Sequence, residues 1–129
     1  MPMPNEIPYD ERVAPTRKTL SMLAGWGVEP MDQCRLLGLP EKDAGRRFRR
    51  HRLGAPLADD PDVWQRVALL LSLNNAVNQL FPHSSLAADL WITTPRAKFG
   101  NKTPLDVMLA GGIQGIRRVE RSLDNLDLL

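Results

Sequence analysis

Eleven prolines and nine glycines punctuate the 129-residue chain, and many of them stand where a helix would begin or end. Proline suits the first helical position, because the N–H it lacks has no partner there. Glycine suits the position after the last helical residue, where the backbone turns left-handed. Pro30 and Gly38, Pro40 and Gly54, Pro61 and Pro82, and Pro104 with Gly111-Gly112 thus bracket four segments. Inside the brackets apolar residues recur at helical spacing, and no run alternates apolar and polar residues over the length of a strand. The punctuation predicts an all-α chain built from short, sharply bounded helices.

Seven helices are expected, packed as a compact bundle. The first spans 16–24, with Leu20 and Leu23 on one face and Gly25-Trp26-Gly27 closing it. The second spans 30–37 and turns Met31, Cys34 and Leu37 inward, and the third spans 40–54. Asp60 caps the fourth, 61–81, the longest element. Val63, Val67, Leu70, Leu71, Val77 and Leu80 keep its spacing, while Trp64, Leu69 and Leu73 add apolar surface on other faces. It is therefore expected to be buried on more than one side, as the dimer seam or equally as the intramolecular centre. Ser84 or Ser85 caps a fifth helix, with Leu86 and Leu90 on one side. The sixth starts at Pro104 after the cap Thr103 and turns Leu105, Met108 and Leu109 inward. The seventh places Ile113, Ile116, Val119 and Leu123 on one face, with Arg117, Arg118 and Arg121 outside.

Residues 1–14, proline-rich and polar, read as a mobile tail. Residues 15–58 form a helix-turn-helix-like half, and 59–129 hold the long central helix plus a small C-terminal helical domain. The only cysteine is Cys34, which excludes an intrachain disulfide. The first fifteen residues lack the apolar core of a signal peptide, and "VALLLSL" is far too short to span a bilayer, so a soluble, cytoplasmic protein is expected.

Net charge is only +2, but it is unevenly placed: residues 1–58 carry ten Lys/Arg against seven Asp/Glu, and residues 59–129 seven against eight. The excess lies in "KDAGRRFRRHR", where Lys42, Arg46, Arg47, Arg49, Arg50 and Arg52 follow a helix–glycine–turn. In a helix-turn-helix the second helix enters the major groove, where arginines reach guanine edges and phosphates. Lys42, Arg46, Arg47, Arg49 and Arg50 are the candidate DNA-binding residues, against the plainer reading of a solvated basic face packed through Phe48.

Nothing in the sequence assembles an enzyme. His51 and His83 lie far apart, no His/Cys/carboxylate group has metal-ligand spacing, and "AGGIQG" lacks the strand and the Gly-Lys-Ser/Thr ending of a phosphate loop. Neither a cofactor nor a catalytic residue is expected.

The stretch "WITTPRAKFGNKTPLDVMLAGG" remains. Capping explains Thr103, Pro104, Asp106 and the glycines. It does not explain "RAKFGNK", a basic loop with a central aromatic, which suits a partner surface. With the residues after it, "LWITTPRAKFGNKTPLDVMLAGGIQGIRRVERSL" resembles the C-terminal toxin-binding domain of Xre/MbcA/ParS-type antitoxins. Trp91, Thr94, Pro95, Gly100, Thr103, Pro104, Leu105, Asp106, Gly111, Val119 and Glu120 carry the resemblance, and the upstream helices agree with an Xre-like half in order and length. The segment Gly112-Ile113-Gln114-Gly115 departs from the family pattern, being longer and richer in glycine than the usual break. The resemblance implies a bacterial antitoxin that binds a RES-domain, NAD-depleting toxin and covers its active site. It also implies a homodimer that represses its own promoter. NAD would then belong to the partner. Candidate toxin-binding residues are Arg96, Lys98, Phe99 and Lys102 in the loop, Arg117 and Arg121 on the last helix, and the terminal Leu128 and Leu129. The alternative is a stand-alone helix-turn-helix transcriptional regulator whose C-terminal half only dimerises.

Overall fold

The first helix, α1, begins at Tyr9 and runs to Gly25, well before the start that the sequence suggests. A computed structural model describes residues 7–124. Pro8 precedes the helix, and its carbonyl accepts from the Glu11 and Arg12 amides at 3.0 and 3.2 Å. Asp10 and Glu11 place negative charge in the first turn, where the helix dipole favours it. Arg12 ties the same turn down by donating to the Leu57 carbonyl at 2.9 Å. Pro15, an expected helix opener, therefore lies inside the helix. Of the segment expected to be a tail, Tyr9 to Ala14 are helical, and residues 1–6 lie outside the described residues.

α1 ends in a Schellman arrangement. The Val28 amide donates to the Leu23 carbonyl at 3.0 Å and the Gly27 amide to Ala24 at 2.9 Å, with Gly27 left-handed at φ 76°. The next helix, α2, spans Pro30–Leu37, and α3 spans Ala44–Arg52. Gly38 follows α2 with φ 71°. A Cβ there would sit 2.7 Å from a carboxylate oxygen of Asp62 and 2.9 Å from Nε of Arg66, which would have to move aside, so glycine is required for the dihedral more than for room. Residues 40–43 form a turn closed by the Ala44 amide on the Glu41 carbonyl, so the third helix starts four residues later than Pro40 suggests.

α4 spans Pro61–Leu80. Asp60 caps it through Oδ1, which accepts from the Asp62 amide at 2.9 Å, as the sequence predicts. Its buried stripe is Val63, Val67, Leu70, Leu73 and Val77, while Leu69, Leu71 and Leu80 are half-buried. α5 spans Ser85–Ile92, with the Ser84 hydroxyl accepting from the Ala87 amide at 3.1 Å. A 3₁₀ turn follows at Ala97–Phe99, and α6 spans Pro104–Asp124.

Six α-helices thus make up the described residues, not seven, because the last two expected helices are joined. Gly112 nevertheless breaks the helical dihedrals where the sequence ends one helix and starts the next: at φ 56° and ψ −134°, a region open almost only to glycine, it kinks α6 into two arms. A Cβ on Gly115 would run into the Val107 carbonyl oxygen and come within 3.0 Å of the Met108 Cα. The two arms of α6 therefore touch backbone to backbone at Gly115. Val107 and Met108 are buried, whereas Leu105 and Leu109, which the spacing turns inward, are only half-buried.

The chain divides into two compact units, Met1–Val67 and Ala68–Leu129, with the division inside α4. Leu23, Cys34, Leu36, Leu37, Phe48 and Leu57 are fully buried in the first. Leu70, Leu73, Ile92, Met108, Ile116 and Val119 are buried in the second. No described helix is long and apolar enough to cross a membrane.

Candidate partner-binding and nucleic-acid surfaces

In the second unit the basic loop is closed on itself. Arg96 and Lys102 form an isolated antiparallel bridge, the Arg96 amide donating to the Lys102 carbonyl at 3.0 Å. The Arg96 carbonyl in turn accepts from the Phe99 and Asn101 amides, each at 3.0 Å. Gly100 and Asn101 both take φ 66°, a left-handed step that glycine and asparagine tolerate best. Local backbone bonds therefore hold the loop in one shape.

Phe99, expected to be presented to a partner, is only 6% exposed. The Arg118 guanidinium lies 5.4 Å from its ring centroid, and Arg96 lies 5.2 Å from the Trp91 ring. Both are cation–π distances. Phe99 anchors the loop, because a ring that size lowers the free energy more by joining the core than by meeting water, and what remains of its surface lines the groove beside the loop. Lys98 and Lys102 are exposed, and Lys98 Nζ donates to the Ser122 carbonyl at 3.3 Å. Arg96 is half-buried, its Nε without a hydrogen-bond partner.

The short helix behind the loop begins with a reciprocal capping box, as its sequence predicts. The Asp106 amide donates to the Thr103 hydroxyl at 2.9 Å, and the Thr103 amide donates to the Asp106 carboxylate at 3.1 Å. Between the loop and the kinked helix runs a groove of about 300 Å³, with Lys102, Asp106, Gln114 and Arg118 among its walls. Arg117 and Arg121 line a different cleft of about 230 Å³, together with Leu69 and Glu120. Glu120 Oε2 is buried there with no hydrogen-bond partner. The expected binding residues thus fall into two places, the loop with its groove and the Arg117–Arg121 cleft. Leu128 and Leu129 lie outside the described residues.

Sequence reasoning left Arg118, Gln114 and Gly115 out of the site. The Phe99–Arg118 stack joins residues far apart in the chain, so no local spacing signals it. A glycine within a helical pattern reads as a breaker, and only the packed backbone gives Gly115 another role.

In the first unit α2, the Gly38 turn and α3 follow in helix–turn–helix order, and α3 packs on both α1 and α2. Arg46, Arg49, Arg50 and Arg52 are exposed on α3, and Lys42 is exposed in the turn before it. Among the described residues none of these makes an ion pair; the pairs present join Arg35 to Asp32 and Glu41, and Arg66 to Asp62. Arg47 differs. It is half-buried, its Nε has no partner, and it donates to the Lys42 carbonyl at 3.4 Å. The side chain is spent largely on the turn. Phe48 is buried, meeting His51 edge-to-face at 5.9 Å. Burial pushes the His51 pKa below its ordinary value, against an opposing effect of its 2.8 Å bond to the Ala55 carbonyl. Burial likewise raises the pKa of the Cys34 thiol, which is fully enclosed.

Residues 76–127 match the family model of the antitoxin Xre/MbcA/ParS C-terminal toxin-binding domain. The matched segment begins in α4 and takes in α5, the basic loop and the kinked helix. This C-terminal part is therefore similar to a domain that binds a toxin. No curated protein matches the chain.

Proposed function

We propose that the chain is the antitoxin of a bacterial toxin–antitoxin pair, and that its C-terminal unit neutralises a RES-domain, NAD-depleting toxin by covering the toxin's active site. The observation that carries this reading is the match of residues 76–127 to the toxin-binding domain. The local geometry supports it: a loop locked by its own backbone bonds and a kinked helix make a preorganised surface, which loses little entropy on docking. Lys98, Lys102, Arg117 and Arg121 are its exposed cations, available to carboxylates of a partner. Inhibition of this kind needs no catalytic residue and no cofactor in this chain.

The proposal extends to the first unit. Lys42, Arg46, Arg49 and Arg50 contact operator DNA, with Arg47 shaping the turn beside them, and the protein represses its own promoter as a homodimer. The exposed arginines of α3 support this part, since ion-paired arginines would gain less from phosphates. Leu86 and Leu90, exposed at 67% and 54% on one side of α5, offer apolar area for the dimer. The α4 stripe of Val63, Val67, Leu70, Leu73 and Val77 is buried within the chain, which favours the intramolecular of the two roles expected for it.

Charge reversal separates the two clefts. A Lys98→Glu/Lys102→Glu variant and an Arg117→Glu/Arg121→Glu variant are each tested for capture of the tagged product of the neighbouring open reading frame. Loss of capture in either variant, with an unchanged circular dichroism spectrum, places docking at that cleft. Undiminished capture by both removes the proposed surface. Should the neighbouring protein not bind at all while operator binding persists, the chain is a stand-alone regulator.

A further inference from the structure

A cavity in the first unit is built from residues outside the segment matched to toxin binding. It is a cleft of about 400 Å³ among α1, α2 and α3, open to solvent on one side and within the size range of small-molecule sites. Leu20 and Phe48 supply an apolar floor; Phe48 is 1% exposed, so the floor is fixed core. Gln33 stiffens one wall, its side-chain amide donating to the Val28 carbonyl at 2.7 Å.

The polar groups converge in one chemical sense. Arg17 and Arg52, both exposed, line the cavity from two helices; among the described residues neither forms an ion pair and no carboxylate lines it. A cavity with two unopposed guanidinium groups over an apolar floor favours an anion with an apolar body. His51 adds a direction. The Ala55 carbonyl can only accept, so the ring bonds to it through Nδ1–H, at 2.8 Å. A neutral ring then keeps its lone pair on Nε2, leaving an acceptor for a hydroxyl.

We propose that this cavity is a binding site for a small hydroxylated aromatic carboxylate, with the ring over Phe48 and Leu20, the carboxylate on Arg17 and Arg52, and the hydroxyl donated to His51 Nε2. The site uses none of the residues matched to toxin binding and does not depend on that reading.

Calorimetry with the full chain tests it, using 4-hydroxybenzoate and 6-hydroxy-2-naphthoate as probes and their carboxamides as controls. Saturable binding of at least one acid is expected, with no binding of its amide. Arg17→Ala/Arg52→Ala should weaken it roughly tenfold or more, the scale of a lost charge-assisted hydrogen bond. Ala24→Phe, which fills the cavity from α1, should abolish binding while leaving the helical spectrum and melting curve intact. If neither acid binds up to millimolar concentration, the proposal is wrong. Binding that survives the Ala24→Phe filling overturns it equally. So does equal binding of acid and amide, which would remove the role of the guanidinium groups. Should Ala24→Phe alter the fold, Ser21→Trp fills the same cavity and is read in the same way.

Discussion

Gly115 shows what a single absent methyl group does in this protein. Its place against the Val107 carbonyl lets the two arms of α6 meet, and any Cβ would force them apart. Gly115→Ala is predicted to destabilise the protein by about 1–3 kcal/mol, the usual cost of overpacking, read from urea unfolding midpoints at an unchanged m-value. Little loss would mean that the arms separate freely. His51 carries a second prediction. With its folded pKa below the unfolded value of 6.5, the unfolded chain binds the proton first as pH falls. Stability from this residue is therefore complete above the unfolded pKa and declines as pH drops from there toward the folded pKa. His51→Asn keeps a neutral donor near the Ala55 carbonyl and should flatten that part of the stability–pH curve; an unchanged acid slope would put the titration elsewhere. At this scale Thr103, Pro104 and Asp106 were legible from sequence, because a capping box is a local code. Phe99 was not: an aromatic among cations reads as surface until Arg118 is seen over its ring.

Helices were legible by kind but less so by limit. The αL glycine Gly38 and the caps Asp60 and Ser84 act within one turn, so spacing revealed them. The start of α1 carries a local signal, Pro8 followed by Asp10 and Glu11, but the bond from Arg12 to the Leu57 carbonyl, across 45 positions, has none. Pro15 reads as an opener but lies inside the helix. The break in α6 was legible at Gly111-Gly112, but the close approach of its two arms at Gly115 was not, because it joins backbone eight residues apart. Two predictions belong here. Thr103→Ala should cost about 1 kcal/mol, and combination with Asp106→Ala should cost less than the sum of the two, as reciprocal bonds require. Strict additivity in a double-mutant cycle would deny the coupling. On α3, Arg46→Ala/Arg49→Ala/Arg50→Ala should abolish operator binding at moderate salt. At low salt, where residual binding is measurable, the slope of log K against log salt should fall by roughly one for each phosphate no longer neutralised. Full DNA affinity at moderate salt would remove α3 as the contact helix. Arg47 is left in place there because it is bound into the turn.

Across the whole chain, the division inside α4 separates two sets of features. The first unit carries the exposed arginines of α3 and the cavity floored by Phe48; the second carries the segment similar to a toxin-binding domain. The sequence places a boundary at residue 58, before the long helix, while the two compact units meet in sequence at Val67 and Ala68, inside α4. If Leu86 and Leu90 form the dimer contact, Leu86→Asp/Leu90→Asp should sediment as a monomer while retaining its helical spectrum; a persistent dimer would place the contact elsewhere. Phe99→Ala is predicted to lose about 3 kcal/mol or more of stability, so a loss of toxin capture in that variant reports on folding as well as docking. The charge reversals at exposed lysines avoid that confusion. The most direct measurement expresses the neighbouring toxin gene alone, with this chain, and with this chain truncated before residue 76, and follows growth and cellular NAD. The proposed role predicts arrest and NAD loss with the toxin alone, rescue with co-purification by the full chain, and no rescue by the truncated one. A harmless neighbour, or rescue without the C-terminal segment, would contradict it.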